Sequence, residues 1–217
     1  MEFITRIKKE GITILLVILP ILLLAVVWNK IPATIATHYN ISGEPDAYRS
    51  KSMLIWFIPV LSIFIYFFLL AIPLIDPKKR IQEMKAKFQV LRLLIQGFFA
   101  AFLVLFIITS YQQDASFVHM LIPLTGLFLI IIGNYLQSVK PNYFIGIRTP
   151  WTLSDDNNWY KTNKLGGRLF ILLGFLLLIG YFIGIRFLQT IFIPLIMLIV
   201  LIPIAYSFWI YKTTQKP

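Results

Sequence analysis

The sequence predicts an all-α fold: a polytopic membrane protein with six transmembrane helices and both termini in the cytoplasm. Three observations predict it. Of the 217 residues, 59% are hydrophobic and 13% charged, against about 45–50% and about 25% in ordinary globular domains. The apolar excess falls in six blocks, each near the roughly 20 residues a helix needs to cross about 30 Å of hydrocarbon. The basic residues between these blocks gather on one side.

The first block, Gly11–Trp28, follows Arg6, Lys8 and Lys9. Its apolar run is longer than that of a secretory signal, and no small-x-small cleavage site follows, so it reads as an uncleaved helix. The later blocks are Met53–Ile75, Phe88–Thr109, Val118–Leu136, Leu169–Ile185 and Thr190–Tyr211. The fifth is the shortest and extends by a turn through Arg186, whose side chain can snorkel. Prolines 20, 59, 73, 123, 194 and 203 bend or locally open these helices, and Gly180-Tyr-Phe-Ile-Gly184 is a GxxxG pattern suited to ordinary close packing.

Of the 20 Lys and Arg residues, sixteen fall on the face that carries the termini, the linker Asp76–Lys87 with Arg92, and the segment Lys140–Arg168. Lys30, Arg49, Lys51 and Arg186 are the four on the other. The positive-inside rule therefore directs Asn29–Ser52, Ser110–Phe117 and Arg186–Gln189 outward. A basic inner face against anionic lipid accounts for the net charge of +11 without nucleic acid. The linker divides the chain into a transmembrane hairpin with a large outer loop, residues 1–80, and a four-helix part, residues 81–217. No cysteine is present, which excludes disulfides, thiol nucleophiles and Cys-bound zinc.

None of the nine acidic residues lies in the middle of a block, which disfavours a proton-driven transporter. His38 lies near Glu44 and Asp46, but the spacing matches no zinc signature, and Ser42-Gly43 and Pro45-Asp46 read as turn punctuation. His119 reads as interfacial. No Ser-His-Asp order, G-x-S-x-G or phosphate loop appears, so no enzyme, metal or cofactor is expected.

Polarity concentrates in two places, the outer loop and Lys140–Arg168. In the second, Pro141 ends the fourth block, Ser154 reads as an N-cap, and Asp155 and Asp156 suit a first turn. A short helix over Asp155–Lys164 would lie at the inner interface with Trp159 and Asn163 on one face. Gly166-Gly167 reads as a close turn into the fifth block. The segment is either an anchored connector or a shaped surface for a partner or headgroup, built from Asn142, Arg148, Thr149, Trp151, Ser154, Asn157, Trp159, Gly166 and Gly167. Outside, His38, Asn40, Gly43, Asp46, Tyr48 and Lys51 form the candidate ligand surface.

The stretch GNYLQSVKPNYFIGIRTPWTLSDDNNWYKTNKLGG, residues 133–167, resembles the signature of the SdpI family of bacterial membrane proteins. IPATIATHYNISGEPDAYRSK, residues 31–51, resembles the DUF1648 hairpin at the N-terminus of longer members. The resemblance implies a multi-pass protein of the bacterial cytoplasmic membrane that confers immunity to a secreted toxin peptide and holds a small transcriptional repressor at the membrane. The alternatives are a transporter or exporter of a small amphiphile or peptide, and a structural membrane protein.

Overall fold

The computed structural model describes residues 2–40, 42–112 and 116–214, with side chains from Glu10 onward except over residues 185–193. Asp114, in the second loop expected to face outward, and the side chain of Arg186 thus lie outside the described residues. The elements are α1 (Glu2–Val27), a 3-10 turn (Trp28–Lys30), β1 (Thr34–Tyr39), β2 (Pro45–Ser50), α2 (Met53–Ile75), α3 (Arg80–Glu83), α4 (Lys85–Gln112), α5 (Phe117–Leu136), α6 (Pro150–Ser154), α7 (Asp156–Ile183) and α8 (Ile185–Thr214). Among the described residues, six helices are long and apolar enough to cross a membrane. Their outward side chains include Trp56, Leu74 and Phe182 at 74%, 79% and 84% exposure. Lipid solvates such residues as well as a core does.

Packing divides the chain into two compact units: residues 1–70 with 89–124, and residues 71–88 with 125–217. In the first unit, Leu24, Ile31, Ile35, Leu54, Ile58, Leu103, Phe106, Ile107 and Phe117 form one buried cluster. Phe117 sits at its centre, stacked on Tyr39 at 5.4 Å and edge-on to Phe102 and Phe106 at 5.7 and 5.5 Å. The cluster includes residues of a β-hairpin within the stretch read from sequence only as turn and anchor. β1 and β2 pair antiparallel, with register shifts on either side of His38. The signal was present as the run Thr34–Tyr39, rich in β-branched and aromatic residues, ahead of a Ser-Gly turn. A sheet this small is marginal alone. Ile35, 2% exposed, fixes it to the helical core.

In the second unit the structure corrects the reading of the polar segment. There is no short interfacial helix followed by a Gly-Gly turn: Asp156–Ile183 is one helix of 28 residues, and Gly166 and Gly167 lie inside it. Its N-cap is Asp155 rather than Ser154, with the carboxylate accepting from the backbone of Asn157 and Asn158 at 2.9 and 3.2 Å. The glycines serve packing. A Cβ on Gly133 would lie 2.5 Å from the Gly167 oxygen and one on Gly167 would lie 2.4 Å from the Gly133 oxygen. Gly126 and Gly174 repeat the arrangement seven residues away, at 2.9 and 2.5 Å. These two reciprocal pairs bring α5 and α7 to backbone contact. Of the GxxxG pattern, Gly180 is buried, and Gly184 ends α7 at φ +125° with open space around it.

Candidate functional site

The first candidate surface is the β-hairpin. His38 Nδ1 and Asp46 Oδ1 meet at 2.5 Å across the strands, and both side chains are well exposed. The turn between them is built by Asn40, whose Oδ1 accepts from the Glu44 backbone at 3.0 Å and whose Nδ2 donates to Glu44 Oε2 at 3.3 Å. Gly43 takes φ +82°, a left-handed conformation that favours glycine, and is buried against Val118. Tyr48 is 61% exposed, as is most of β2. Lys51 faces the other way: its Nζ donates to the Trp28 and Ile31 carbonyls at 3.0 and 2.9 Å and lies 4.7 Å from the Trp28 ring centre. It fastens the start of α2 to the end of the 3-10 turn. Of the six predicted residues, the hairpin thus presents His38, Asp46 and Tyr48, while Asn40, Gly43 and Lys51 hold its shape. Among the described residues no group of three His, Cys, Asp or Glu side chains is placed to hold a metal.

The second surface is Lys140–Arg168, and its polarity has a definite use. Residues 139–149 form no regular helix or strand, so their backbone groups need other partners. Asn142, fully buried, accepts from the Phe144 and Ile145 amides at 2.8 and 2.7 Å and donates to the Lys140 and Ile145 carbonyls at 2.8 and 3.0 Å. Trp159 Nε1 donates to the Val139 carbonyl at 2.8 Å. Asn163 Oδ1 accepts from the Ile147 amide at 2.7 Å, and Thr152 donates to the Ile147 carbonyl at 3.0 Å. Thr149 caps α6 in a capping box with Thr152 and meets the Ser207 hydroxyl at 3.1 Å. Asn158 donates to the Ser207 carbonyl at 2.9 Å and accepts from Thr162 at 2.9 Å. Gly146 permits this closure: at φ +122°, an added Cβ would lie 2.7 Å from Asn163 Oδ1 and 2.9 Å from the Trp159 ring.

Asn142, Thr149, Trp159, Gly166 and Gly167 are therefore buried and build the segment, while Arg148, Ser154 and Asn157 are exposed. Trp151 is half-buried against Phe208, ring centres 4.9 Å apart. Arg148 donates to the Tyr143 carbonyl through Nη1. Sequence reasoning missed Asn158, Thr162, Asn163 and Ser207 as a network. Single polar residues in apolar helices carry no partner information until the fold pairs them.

The linker after α2 also packs on this segment, which the sequence did not show. Arg80 meets Asp156 at 2.6 Å, Lys140 meets Glu83 at 2.9 Å, and Lys78 donates to the Leu153 carbonyl at 2.9 Å. Asp76, 3% exposed, accepts from the Ile81 amide at 3.1 Å and so orients α3. The Asp156 hydrogen bond raises the Arg80 guanidinium above its ordinary value. The hydrogen bond and charge of Lys140 hold the Glu83 carboxyl below its ordinary 4.5. A carboxyl depressed in the fold contributes stability above the unfolded value and loses it as pH falls through the folded one. Spin labels at the exposed Gln82 and Asn157 are thus expected to keep their separation from neutral pH down to about 4.5 and to spread below it. Glu83→Gln should widen their distance distribution already at neutral pH. A distribution independent of both pH and Glu83 would show that this ion pair does not hold the linker.

Residues 138–207 match the SdpI/YfhL protein family, and residues 15–63 match a domain of unknown function, DUF1648. The chain is also 29% identical over 208 residues to the Immunity protein SdpI of Bacillus subtilis (strain 168), covering 94% of this chain and 97% of that one. No solved structure matches significantly. The first match spans the side-chain-closed segment with α6, α7 and most of α8, and the second spans the β-hairpin between its two helices. The chain is a multi-pass membrane protein with six candidate spans among its described residues, similar to the SdpI/YfhL protein family over residues 138–207 and to DUF1648 over residues 15–63.

Proposed function

We propose that the protein is a membrane immunity protein that protects its cell from a secreted toxin peptide. In this reading its role is not catalytic. The single observation that carries it is the alignment to Immunity protein SdpI along nearly the whole of both chains. Both termini are placed in the cytoplasm, on the strength of the uneven Lys and Arg distribution. The β-hairpin then faces the toxin, and Asn142–Gly167 faces a small transcriptional repressor that the protein holds at the membrane. The deciding experiment is toxin challenge of a sensitive host with and without the gene. Equal killing in both, with the protein present in the membrane, would refute the immunity reading. A C-terminal reporter active only outside the cell would refute the orientation.

Substitutions on each surface give sharper tests. Simultaneous alanine at His38, Asn40, Asp46 and Tyr48 is expected to abolish protection while the protein still reaches the membrane. Retained protection would exclude the hairpin as the toxin-facing surface. Arg148→Lys removes a planar fork that binds carboxylates in a bidentate manner. It should reduce co-fractionation of the repressor with membranes, with protection intact. Unchanged recruitment would return the segment to an anchored connector.

A second reading, transport of a small amphiphile or peptide, is favoured by one observation: Glu10 and Arg92 form a half-buried ion pair between two candidate spans. Ionisable residues that pair with one another within transmembrane segments often mark transport paths. Energised uptake into vesicles would favour it, and its absence alongside toxin protection would exclude it.

A further inference from the structure

The interior of the first unit contains a polar seam that neither surface uses. Arg92, 6% exposed, donates Nη1 and Nη2 to Glu10 Oε1 and Oε2 at 2.8 and 3.2 Å. The Tyr66 hydroxyl donates to the same carboxylate at 3.3 Å, and the guanidinium lies 5.8 Å from the Tyr66 ring centre. One turn along α4, Gln96 is fully buried and donates Nε2 to the Ser62 carbonyl at 3.4 Å. Ser62 in turn donates its hydroxyl to the Val17 carbonyl at 3.1 Å. The seam thus joins α1, α2 and α4, each a candidate span.

Two of its atoms have no hydrogen-bond partner among the described residues: the donor Arg92 Nε and the acceptor Gln96 Oε1. Lipid cannot supply one, and a buried donor or acceptor left unmade is costly. The two residues stand at i and i+4 of one helix, where Cβ atoms lie about 5–6 Å apart. The two unpartnered atoms therefore belong to neighbouring side chains on one face of α4.

We propose that Arg92 and Gln96 form a buried binding site for one small neutral molecule that both accepts and donates, and that its occupant is water. The water accepts from Arg92 Nε–H and donates to Gln96 Oε1. The chemistry selects neutrality. An anion would suit the guanidinium, whose charge Glu10 already balances, but would meet the Gln96 oxygen lone pairs. A cation would meet Arg92. Occupancy completes a hydrogen-bonded chain from Glu10 through Arg92 and Gln96 to Ser62, so that three membrane helices share one polar network. The inference rests on the packing of the first unit and does not depend on the immunity reading.

The full chain, deuterated and ¹⁵N-labelled, in phosphatidylcholine nanodiscs provides the test. The Arg92 Nε–H resonance is assigned by its loss in Arg92→Lys. The expected result is a direct cross-relaxation peak between that proton and water. In Gln96→Met, close in size and without the acceptor, the peak should be lost. Absence of the peak in the wild-type protein would overturn the site, and so would a peak of unchanged intensity in Gln96→Met. The wild-type measurement decides by itself if that variant does not fold.

Discussion

Leucine at Gly133 is expected to unfold the second unit. A Cβ there would lie 2.5 Å from the Gly167 carbonyl oxygen and 2.9 Å from the Ile171 amide nitrogen, before the rest of the side chain is counted. Overpacking costs about 1–3 kcal/mol when neighbouring side chains can give way. Here the obstruction is backbone, so α5 and α7 must separate, and the Gly126–Gly174 pair opens with them. Apolar burial does not hold helices together in lipid as it does in water; close van der Waals approach does. The expected loss therefore exceeds roughly 3 kcal/mol, the upper end of ordinary overpacking. Gly133→Ala should fall between leucine and wild type. Gly11→Ala is the control: nothing lies within 4 Å of its Cβ, and glycine-to-alanine inside a helix stabilises by about 0.5–1 kcal/mol. Unfolding midpoints in an SDS titration would report all three. A wild-type midpoint for Gly133→Leu would mean that the glycine pairs are not in contact in the membrane.

The second large effect is expected at Trp159. Its side chain is completely buried, its Nε1 donates to the Val139 carbonyl at 2.8 Å, and its ring lies against Gly146. Truncation to alanine removes that ring and leaves a buried carbonyl without its donor. Core Trp→Ala changes cost about 3–5 kcal/mol. The loop over residues 139–149 is expected to lose its order along with the cavity. Trp159→Phe separates the two contributions, since it keeps most of the packing and deletes the donor, at a cost of about 1–3 kcal/mol for the unmet carbonyl. Hydrogen exchange at the Phe144, Ile145 and Ile147 amides is the direct readout, because Asn142 and Asn163 protect them in the native fold. Unaltered protection in Trp159→Ala would show that the loop holds its shape without the indole. Recruitment of a partner is accordingly better probed at Arg148 and Asn157, which are exposed, than at Trp159.

Much of this protein was legible in its residues because lipid imposes so simple a rule. A chain that must satisfy its backbone without water forms helices of fixed minimum length, so six spans follow from six apolar blocks. The motifs of residues 31–51 and 133–167 were also readable, since each packs many unusual residues into a short run. Helix boundaries were less readable. Paired glycines look alike whether they permit a turn or a close helix contact, and only the partner glycines on α5 show that Gly167 and Gly174 serve contact.

The use of the polar residues was decided by tertiary structure alone. Asn142, Trp159 and Asn163 read in sequence as an interfacial surface and proved to be interior, because a polar side chain in sequence shows its hydrogen-bonding capacity and not its partner. Folding assigned that capacity to the irregular backbone of residues 139–149, which otherwise had no partner for its amides and carbonyls. In the same way Arg92 looked like a charge near a helix end until α1 brought Glu10 to it across 82 positions of sequence. Apolar length and charge asymmetry are summed along the chain, so the sequence by itself determined the spans. Hydrogen-bond pairing is settled between segments, so it was determined only once they packed.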